Sequence, residues 1–337
     1  GLGVGGMLPI TYALLAETIP ARHRGWLMVL IGGDIAAAYI ITSWLASELV
    51  PHFSWRILWL LGLPTGVLLI LLNRWIPESP RFLLANGRET EARAVMERYG
   101  ARIVEEKQPE LETERSVQNR WTQLVRKPLR SLTVVIALLG IGVGLVQFGF
   151  QLWMPSNLRK LGFTEVTADR ILRDSALIGF PFTFLIAWMY GFWSSKKTII
   201  VLAALTAAAL FGFVVAGDEI AKNRALLYTL LVVPIWGISS VMAVISVYSS
   251  EIYPTRIRSR GTGLAAGASK AGGVLIIALV AAGIAAPSIV GTALMGAIPM
   301  TLAVLAIVLF GVETRKRRLE EITAEEFKTA SPQPRRR

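Results

Sequence analysis

Polar side chains that lie within long apolar segments are the residues of this sequence that could do chemistry. Lys270 is the clearest case, because its ammonium stands among small residues, between Ser269 and Gly272. An unpaired ammonium in an apolar environment costs about 2.5–3.5 kcal/mol, so it should reach a carboxylate, a carbonyl or water. Lys270 is therefore a candidate partner for an anionic ligand. The alternative is that its long stem carries the charge to the nearer end of the segment.

Asp34 follows Gly32 and Gly33 inside another apolar segment. Burial disfavours the charged form of a carboxylate, so Asp34 could take up and release a proton. Asp34 is thus a candidate proton-coupling residue. The alternative is that Asp34 pairs with a group on another helix.

Two further groups of polar residues repeat at helical spacing. Gln147 and Gln151 are four residues apart, so their amides share one face of a helix and could converge on a ligand. Trp236, Ser239 and Ser240 also share a face, and an aromatic ring with two hydroxyls suits an aromatic acid or a sugar. Both groups also have a structural interpretation, because serine hydroxyls inside helices commonly bond to their own backbone.

Transmembrane helices must position these residues. The chain is 53% hydrophobic and 17% charged, with a mean hydropathy of +0.54, which is far from the composition of soluble proteins. A span needs about 20 mainly apolar residues. The sequence therefore predicts an all-α polytopic membrane protein. The nine predicted helices cover about 1–16, 26–47, 56–76, 131–153, 172–193, 197–216, 225–249, 262–286 and 289–312.

Composition argues against several kinds of site. The chain has no cysteine and only two histidines, so disulfides, thiolate metal sites and histidine metal sites are not expected. The sequence also lacks a Gly-x-x-x-x-Gly-Lys-Ser/Thr loop, which disfavours ATP as an energy source. We predict no cofactor, no metal and no enzymatic activity.

The net charge of +12 follows membrane topology rather than nucleic-acid binding. If residues 77–130 and the C-terminal tail face the cytoplasm, 27 of the 35 Lys and Arg residues lie on the inner side. Seven lie on the outer side, and Lys270 lies within a helix. The positive-inside rule then sets the orientation. Alternating charges at helical spacing, such as Glu89, Arg93 and Glu97, predict a surface helix in the linker.

The stretch 77–84, Pro-Glu-Ser-Pro-Arg-Phe-Leu-Leu, is followed by Gly87-Arg88 and Glu91-Ala92. It resembles the signature after the sixth transmembrane helix in the sugar-porter and metabolite:proton-symporter branches of the major facilitator superfamily. The resemblance implies two pseudo-symmetric six-helix halves. The helices present would be family helices four to twelve, so we expect an N-terminally truncated copy. The implied domains are the rest of the N-terminal half at 1–76, a charged cytoplasmic linker at 77–130, the C-terminal half at 131–312 and a basic tail at 313–337.

An internal repeat supports the two halves. Glu17 with Arg24 parallels Glu251 with Arg258, and each copy has Pro three residues and Arg five residues after its Glu. A carboxylate at a helix C-terminus opposes the macrodipole, so both glutamates need nearby cations. The resemblance implies a cytoplasmic latch between the halves, whereas the alternative is that the charges only anchor loops at headgroups. The predicted latch residues are Glu17, Arg24, Glu78, Arg81, Glu251, Arg256 and Arg258.

The turn at 191–197 departs from the family pattern. The family has Asp-x-x-Gly-Arg-Arg at this place, whereas this chain has Gly-Phe-Trp-Ser-Ser-Lys-Lys. Two lysines keep the positive charge but lose bidentate pairing. We therefore do not expect a latch at this corner.

The resemblance implies a secondary active transporter of a small organic solute. Lys270 and the Trp153-Met154-Pro155 element, which resembles one in metabolite symporters, favour proton-coupled uptake of a carboxylated or aromatic metabolite, and the signature at 77–84 equally allows sugars. Efflux by antiport and a non-transporting sensor or scaffold are the alternatives. The expected partners are the solute, protons and the lipid bilayer, without nucleic acid, for a monomer in the inner membrane of the cell.

Overall fold

The computed structural model describes residues 2–54, 56–98, 120–282, 288–319 and 321–323. These residues form helices joined by turns, and no strand occurs among them. They belong to two compact units, Gly1–Gly33 with Lys107–Arg337 and, separately, Asp34–Glu106. Predictions for the end of the linker and for the tail fall on 99–119 and 324–337, outside the described residues.

Fourteen α-helices are described, and they are numbered in chain order. They are α1 (Leu2–Thr18), α2 (Ala21–Gly32), α3 (Asp34–Phe53), α4 (Arg56–Leu72), α5 (Pro80–Ala85), α6 (Glu89–Arg98), α7 (Arg130–Leu145), α8 (Leu152–Lys160), α9 (Glu165–Gly179), α10 (Phe182–Trp188), α11 (Ser195–Ala216), α12 (Arg224–Ile252), α13 (Arg258–Ala281) and α14 (Ile289–Phe310). Seven stretches of the described residues are long and apolar enough to cross a membrane. The predicted all-α, membrane-spanning class is therefore confirmed.

The first unit is held together by a close crossing of α7 and α13. A Cβ added to Gly144 would stand 1.9 Å from the carbonyl oxygen of Ser269, and one added to Gly272 would stand 2.6 Å from that of Ile141. Small residues let helix backbones approach in this way within lipid. The crossing fixes α13 against the end of α7, next to the two glutamines.

The chain from α7 to α8 is interrupted by a π-helical turn at Val146–Gln151. The sequence predicted a regular helix over 131–153, and the pattern of apolar residues carries no sign of this turn. π-helical turns are rare and are frequently found at functional sites. Gln147 and Gln151 both lie in it.

Several predicted helix boundaries differ from the structure, as two cases illustrate. The helix predicted at 26–47 occurs as α2 and α3, which end and begin on either side of Gly33, and consecutive glycines weaken a helix. The helix predicted to start at residue 262 begins earlier, at Arg258. Hydropathy predicts that Arg258 lies outside the helix, because arginine is charged. In the structure Arg258 is the first residue of the helix, and its charge is buried in the ion pair with Glu17.

In the second unit, the signature residues build the start of a helix. The hydroxyl oxygen of Ser79 accepts a hydrogen bond from the backbone three residues later, and Pro80 takes the first helical position, where no N–H is needed. Gly87 ends this helix with φ at +75°, and the N–H of Arg88 donates to the carbonyl of Leu83 at 2.9 Å. Pro80 therefore starts α5, whereas Pro77 lies outside the helix between it and the apolar segment.

Candidate functional site

Two buried ion pairs connect α1 and α2 with α12 and α13. Arg24 donates from Nε to Oε1 of Glu251 at 2.8 Å, and Arg258 donates from Nη1 to Oε1 of Glu17. The four side chains are at most 6% exposed. Positions 17 and 251, and positions 24 and 258, are each 234 residues apart, so the internal repeat relates one pair to the other.

The carboxylate of Glu251 is the centre of a larger network. Its Oε2 accepts hydrogen bonds from the hydroxyls of Tyr190 at 2.8 Å and Thr314 at 2.6 Å. Arg24 uses a second nitrogen, Nη2, to donate to the backbone carbonyl of Arg317 at 2.8 Å. Charge-assisted hydrogen bonds of this kind are about twice as strong as neutral ones. The network thus ties α2 and α12 to the segment that follows α14.

The corner before α11, where the sequence predicted no latch, contains a carboxylate from a distant segment. Glu313 accepts hydrogen bonds from the hydroxyls of Ser194 and Ser195 and from the N–H of Ser195 at 2.9 Å. The hydroxyl of Ser195 in turn accepts from the N–H of Thr314 at 2.9 Å. The sequence analysis missed Glu313 and Thr314. The only signal was a Glu-Thr pair directly after the last apolar segment.

The carboxylate of Glu313 makes this corner sensitive to pH. Burial would raise the pKa of Glu313, but hydrogen bonds from Ser194, Ser195 and the backbone of Arg315 outweigh burial and hold this pKa below its usual range. A group whose folded-state pKa is lowered stabilises the fold above its unfolded pKa. That contribution is lost as the pH falls through the folded value.

We expect Glu313→Gln to lower the melting temperature at pH 7. The difference from the unsubstituted protein should shrink as the pH falls below about 4, because Glu313 becomes protonated first in the unfolded state and, at a lower pH, in the folded state as well. Thermal unfolding in detergent between pH 7 and pH 3 measures this. Glu97→Gln changes an exposed carboxylate of α6 and is the control. A difference for Glu313→Gln that stays constant over this range would contradict the prediction.

Lys270 lies at the midpoint of α13, twelve residues after Arg258 and eleven before Ala281. At 1.5 Å per residue it is about 18 Å from the helix start, which is beyond the reach of a lysine stem. Its side chain is exposed, and its Nζ lies 5.0 Å from the centre of the Phe148 ring. The alternative that Lys270 carries its charge to the nearer end of the apolar segment stays a second interpretation.

Gln147 and Gln151 lie in the π-helical turn that also carries Phe148, whose ring lies 5.0 Å from the Nζ of Lys270. Both glutamines are half-buried. Neither side chain hydrogen-bonds to any part of the chain that the structure describes. The turn therefore carries two amides without described partners in the same six residues as the ring that Lys270 approaches.

Trp236 packs against α9 and α10. Its ring lies 5.0 Å from that of Phe182, and a Cβ at Gly179 would stand 2.5 Å from the Cβ of Trp236. Its indole nitrogen is buried and has no acceptor among the described residues. The hydroxyls of Ser239 and Ser240 likewise make no hydrogen bond within the described ranges, whereas the hydroxyls of Ser246, Ser249 and Ser250 donate to carbonyls of the same helix.

The remaining predicted residues are less informative. Glu78 accepts a hydrogen bond from the N–H of Ser79 at 3.0 Å. Arg256 is exposed, and no ion pair of its side chain is found in the described part of the chain. The side chains of Asp34 and Arg81 lie outside the described residues.

Comparison with known families identifies the chain. Residues 1–325 match the family described as "Sugar (and other) transporter". The chain belongs to this family. Membership of the sugar (and other) transporter family makes it an integral membrane transporter, in agreement with the seven membrane-crossing stretches.

Three bacterial transport proteins illustrate what this chain is similar to. The niacin transporter NiaP of Acinetobacter baylyi is 26% identical over 96% of this chain and 73% of the relative. The inner membrane metabolite transport protein YgcS of Escherichia coli is 30% identical over 81% of this chain and 60% of the relative. The 4-hydroxybenzoate transporter PcaK of Acinetobacter baylyi is 24% identical over 81% of this chain and 61% of the relative.

The solved structures define the fold of this family member. The proton:xylose symporter XylE bound to 6-bromo-6-deoxy-D-glucose superposes with a TM-score of 0.70, at 22% identity, over 94% of this chain and 70% of that chain. A double Trp variant of XylE gives a TM-score of 0.75. The fold is that of the major facilitator superfamily, so the resemblance seen at 77–84 is confirmed.

Proposed function

We propose that this chain is a proton-coupled secondary transporter that takes up small aromatic monocarboxylates by alternating access. The observation that carries the proposal is Lys270, an ammonium at the midpoint of a membrane-crossing helix and 5.0 Å from the Phe148 ring. A cation at that depth is expensive, with a cost of about 2.5–3.5 kcal/mol. A carboxylate that binds there offsets this cost.

The neighbours of Lys270 suit an aromatic ring with polar substituents. Phe148 can stack on a ring, and such aromatic pairs contribute about 0.5–1.5 kcal/mol beyond buried area. Gln147 and Gln151 provide amides without hydrogen bonds to the described residues. Niacin and 4-hydroxybenzoate, named in two of the similar transporters, are both ring carboxylates. Trp236, Ser239 and Ser240 are proposed as a second wall of the site.

Three further roles belong to the proposal. Asp34 is the proton-coupling residue, and proton-driven accumulation measured with Asp34→Asn tests it. The two ion pairs, Arg24 with Glu251 and Glu17 with Arg258, form the cytoplasmic latch.

The chain is a monomer in the inner membrane, with the linker and the C-terminus in the cytoplasm, as the distribution of Lys and Arg supports.

We expect Lys270→Gln to weaken nicotinate binding by about 10- to 100-fold, because a hydrogen bond to a charged group contributes about 1.5–3 kcal/mol. Nicotinamide has the same ring but a neutral amide, so its affinity should change little. Equilibrium binding of both radiolabelled compounds to protein reconstituted in nanodiscs measures the two effects. Gly267→Ala, which adds a methyl group in open space on the same helix, is the control.

The same experiment separates the proposal from its alternatives. Equal losses for nicotinate and nicotinamide would mean that Lys270 is structural. Binding of xylose but of neither ring compound would favour a sugar transporter, for which the two glutamine amides also provide suitable partners. Binding of nicotinate without uptake into proteoliposomes would favour a sensor that retains the fold.

A further inference from the structure

A short segment directly before α7 combines buried leucines with exposed cations. Leu124 and Leu129 are only 2% and 1% exposed and belong to the hydrophobic core of the first unit. They anchor residues 120–130 to the bundle. This segment contains four cations and no acidic residue.

Two apolar side chains of the same segment point away from the core. Trp121 is 59% exposed and Val125 is 63% exposed. Arg130, five residues after Val125, begins one of the membrane-crossing stretches, so both side chains lie close to the level of the membrane surface. Tryptophan is enriched at this level because one side of its ring is apolar and its N–H is polar.

The cations of this segment lack acidic partners. Arg120, Arg126, Lys127 and Arg130 are exposed, and no side-chain ion pair or hydrogen bond is found for them in the part of the chain that is described. Arg260, near the start of α13, lies with its guanidinium 5.6 Å from the centre of the Trp121 ring. Its Nη1 is buried and has no acceptor among the described residues. Buried guanidinium nitrogens normally have an acceptor.

We infer that Trp121, Val125, Arg126, Lys127, Arg130 and Arg260, together called the basic patch, bind the headgroup of an anionic phospholipid. Phosphate oxygens accept paired hydrogen bonds from arginine, and clusters of four to eight cations beside a transmembrane helix attract anionic lipid. Trp121 and Val125 favour a lipid over a free anion, because they provide apolar contacts for the glycerol and upper acyl chain. The inference does not depend on the transported substrate. With the proposed orientation of the chain, the basic patch faces the cytoplasmic leaflet. Only this choice of leaflet rests on the proposed function.

The test compares two triple variants with the same change in charge. Arg126→Gln with Lys127→Gln and Arg130→Gln neutralises the basic patch. The control changes Arg170, Lys222 and Arg224 to glutamine. Each of these residues lies at the end of a membrane-crossing stretch, on the side of the membrane opposite to the basic patch. Native mass spectrometry of the purified protein in detergent, titrated with phosphatidylglycerol or with phosphatidylcholine, measures apparent dissociation constants.

We expect the patch variant to bind phosphatidylglycerol on the order of 10- to 100-fold more weakly, since each cation near the surface contributes about a factor of five. The control should change binding less than about twofold, and phosphatidylcholine binding should not respond to either variant. Soluble glycerol phosphate should not displace the lipid. Trp121→Ser, at an exposed position that does not risk the fold, should also weaken phosphatidylglycerol binding.

Three results would overturn the inference. Equal losses in both triple variants would mean general attraction between charges rather than a site. Displacement by glycerol phosphate at the lipid's own concentration would indicate a site for free anions. Unchanged binding in both the patch variant and Trp121→Ser, with melting temperatures preserved, would show that lipid binds elsewhere.

Discussion

Glu251→Gln is expected to open the contact that the buried ion pairs make between α1 and α2 on one side and α12 and α13 on the other. The substitution leaves the guanidinium of Arg24 buried without its carboxylate, and removing one member of a buried ion pair costs about 3–5 kcal/mol. The closed arrangement should therefore lose population by a factor on the order of 100 or more. The proposed latch predicts that this loss favours the inward-open state.

Distance measurements can detect this shift directly. The 337 residues contain no cysteine, so spin labels can be attached at Arg22→Cys and Arg256→Cys, two exposed positions related by the repeat. Electron paramagnetic resonance should show a longer distance between the labels in Glu251→Gln. A charge swap, Arg24→Glu with Glu251→Arg, should restore part of the short-distance population.

The control for this prediction is an exposed ion pair. Lys222 and Glu219 lie on the surface, where such pairs contribute only about 0–1 kcal/mol, so Glu219→Gln should leave the distances unchanged. Identical distance distributions in the unsubstituted protein and in Glu251→Gln would refute the latch. The ion pairs would then serve only to anchor the loops.

Gly144→Ala is expected to destabilise the first unit by more than about 3 kcal/mol. The new Cβ would lie 1.9 Å from the carbonyl oxygen of Ser269 and 3.1 Å from the backbone nitrogen of Gly273. Backbone atoms cannot rotate away as a side chain can, so α7 and α13 must separate, at a cost at or above the usual 1–3 kcal/mol of overpacking. The melting temperature and unfolding in denaturing detergent measure the loss.

The separation should also disturb the proposed site, because Lys270 follows Ser269 and Phe148 lies one helical turn after Gly144. Nicotinate binding at low temperature, where the variant stays folded, should therefore weaken as well. Gly267→Ala supplies the comparison, since the same methyl group there meets no atom within 4 Å. If both alanine variants unfolded at the same temperature, the close crossing of α7 and α13 would not be a major source of stability.

Local sequence was sufficient to predict the parts of this fold that depend on local physical chemistry. Apolar segments of about 20 residues predicted the helices, and the two glutamates at helix ends predicted nearby arginines. The sequence left open which arginine meets each glutamate, and the structure pairs Arg24 with Glu251 and Arg258 with Glu17. The structure contains both contacts, although their role as a latch remains a proposal.

Other features depend on which distant segments meet. Glu313 reaches Ser195 across 118 residues of sequence, and nothing near either residue indicates that contact. The π-helical turn at Val146–Gln151 has the composition of an ordinary helix. The start of α13 was predicted too late because hydropathy does not recognise an arginine that is buried with a carboxylate. In each case the deciding interaction is tertiary.

Two nitrogens of Arg24 donate hydrogen bonds to different segments of the chain, and this arrangement allows the movement of the helices to be followed by fluorescence. One donates to Glu251 and the other to the carbonyl of Arg317, so a movement that separates Arg24 from α12 also breaks one hydrogen bond to the chain beyond α14, while Thr314 stays bonded to Glu251. A fluorophore attached at the exposed Arg318 should therefore change its surroundings when this hydrogen bond breaks. The C-terminus thus offers an optical signal of the transport cycle, and a truncation ahead of Glu313 would remove both the signal and its anchor.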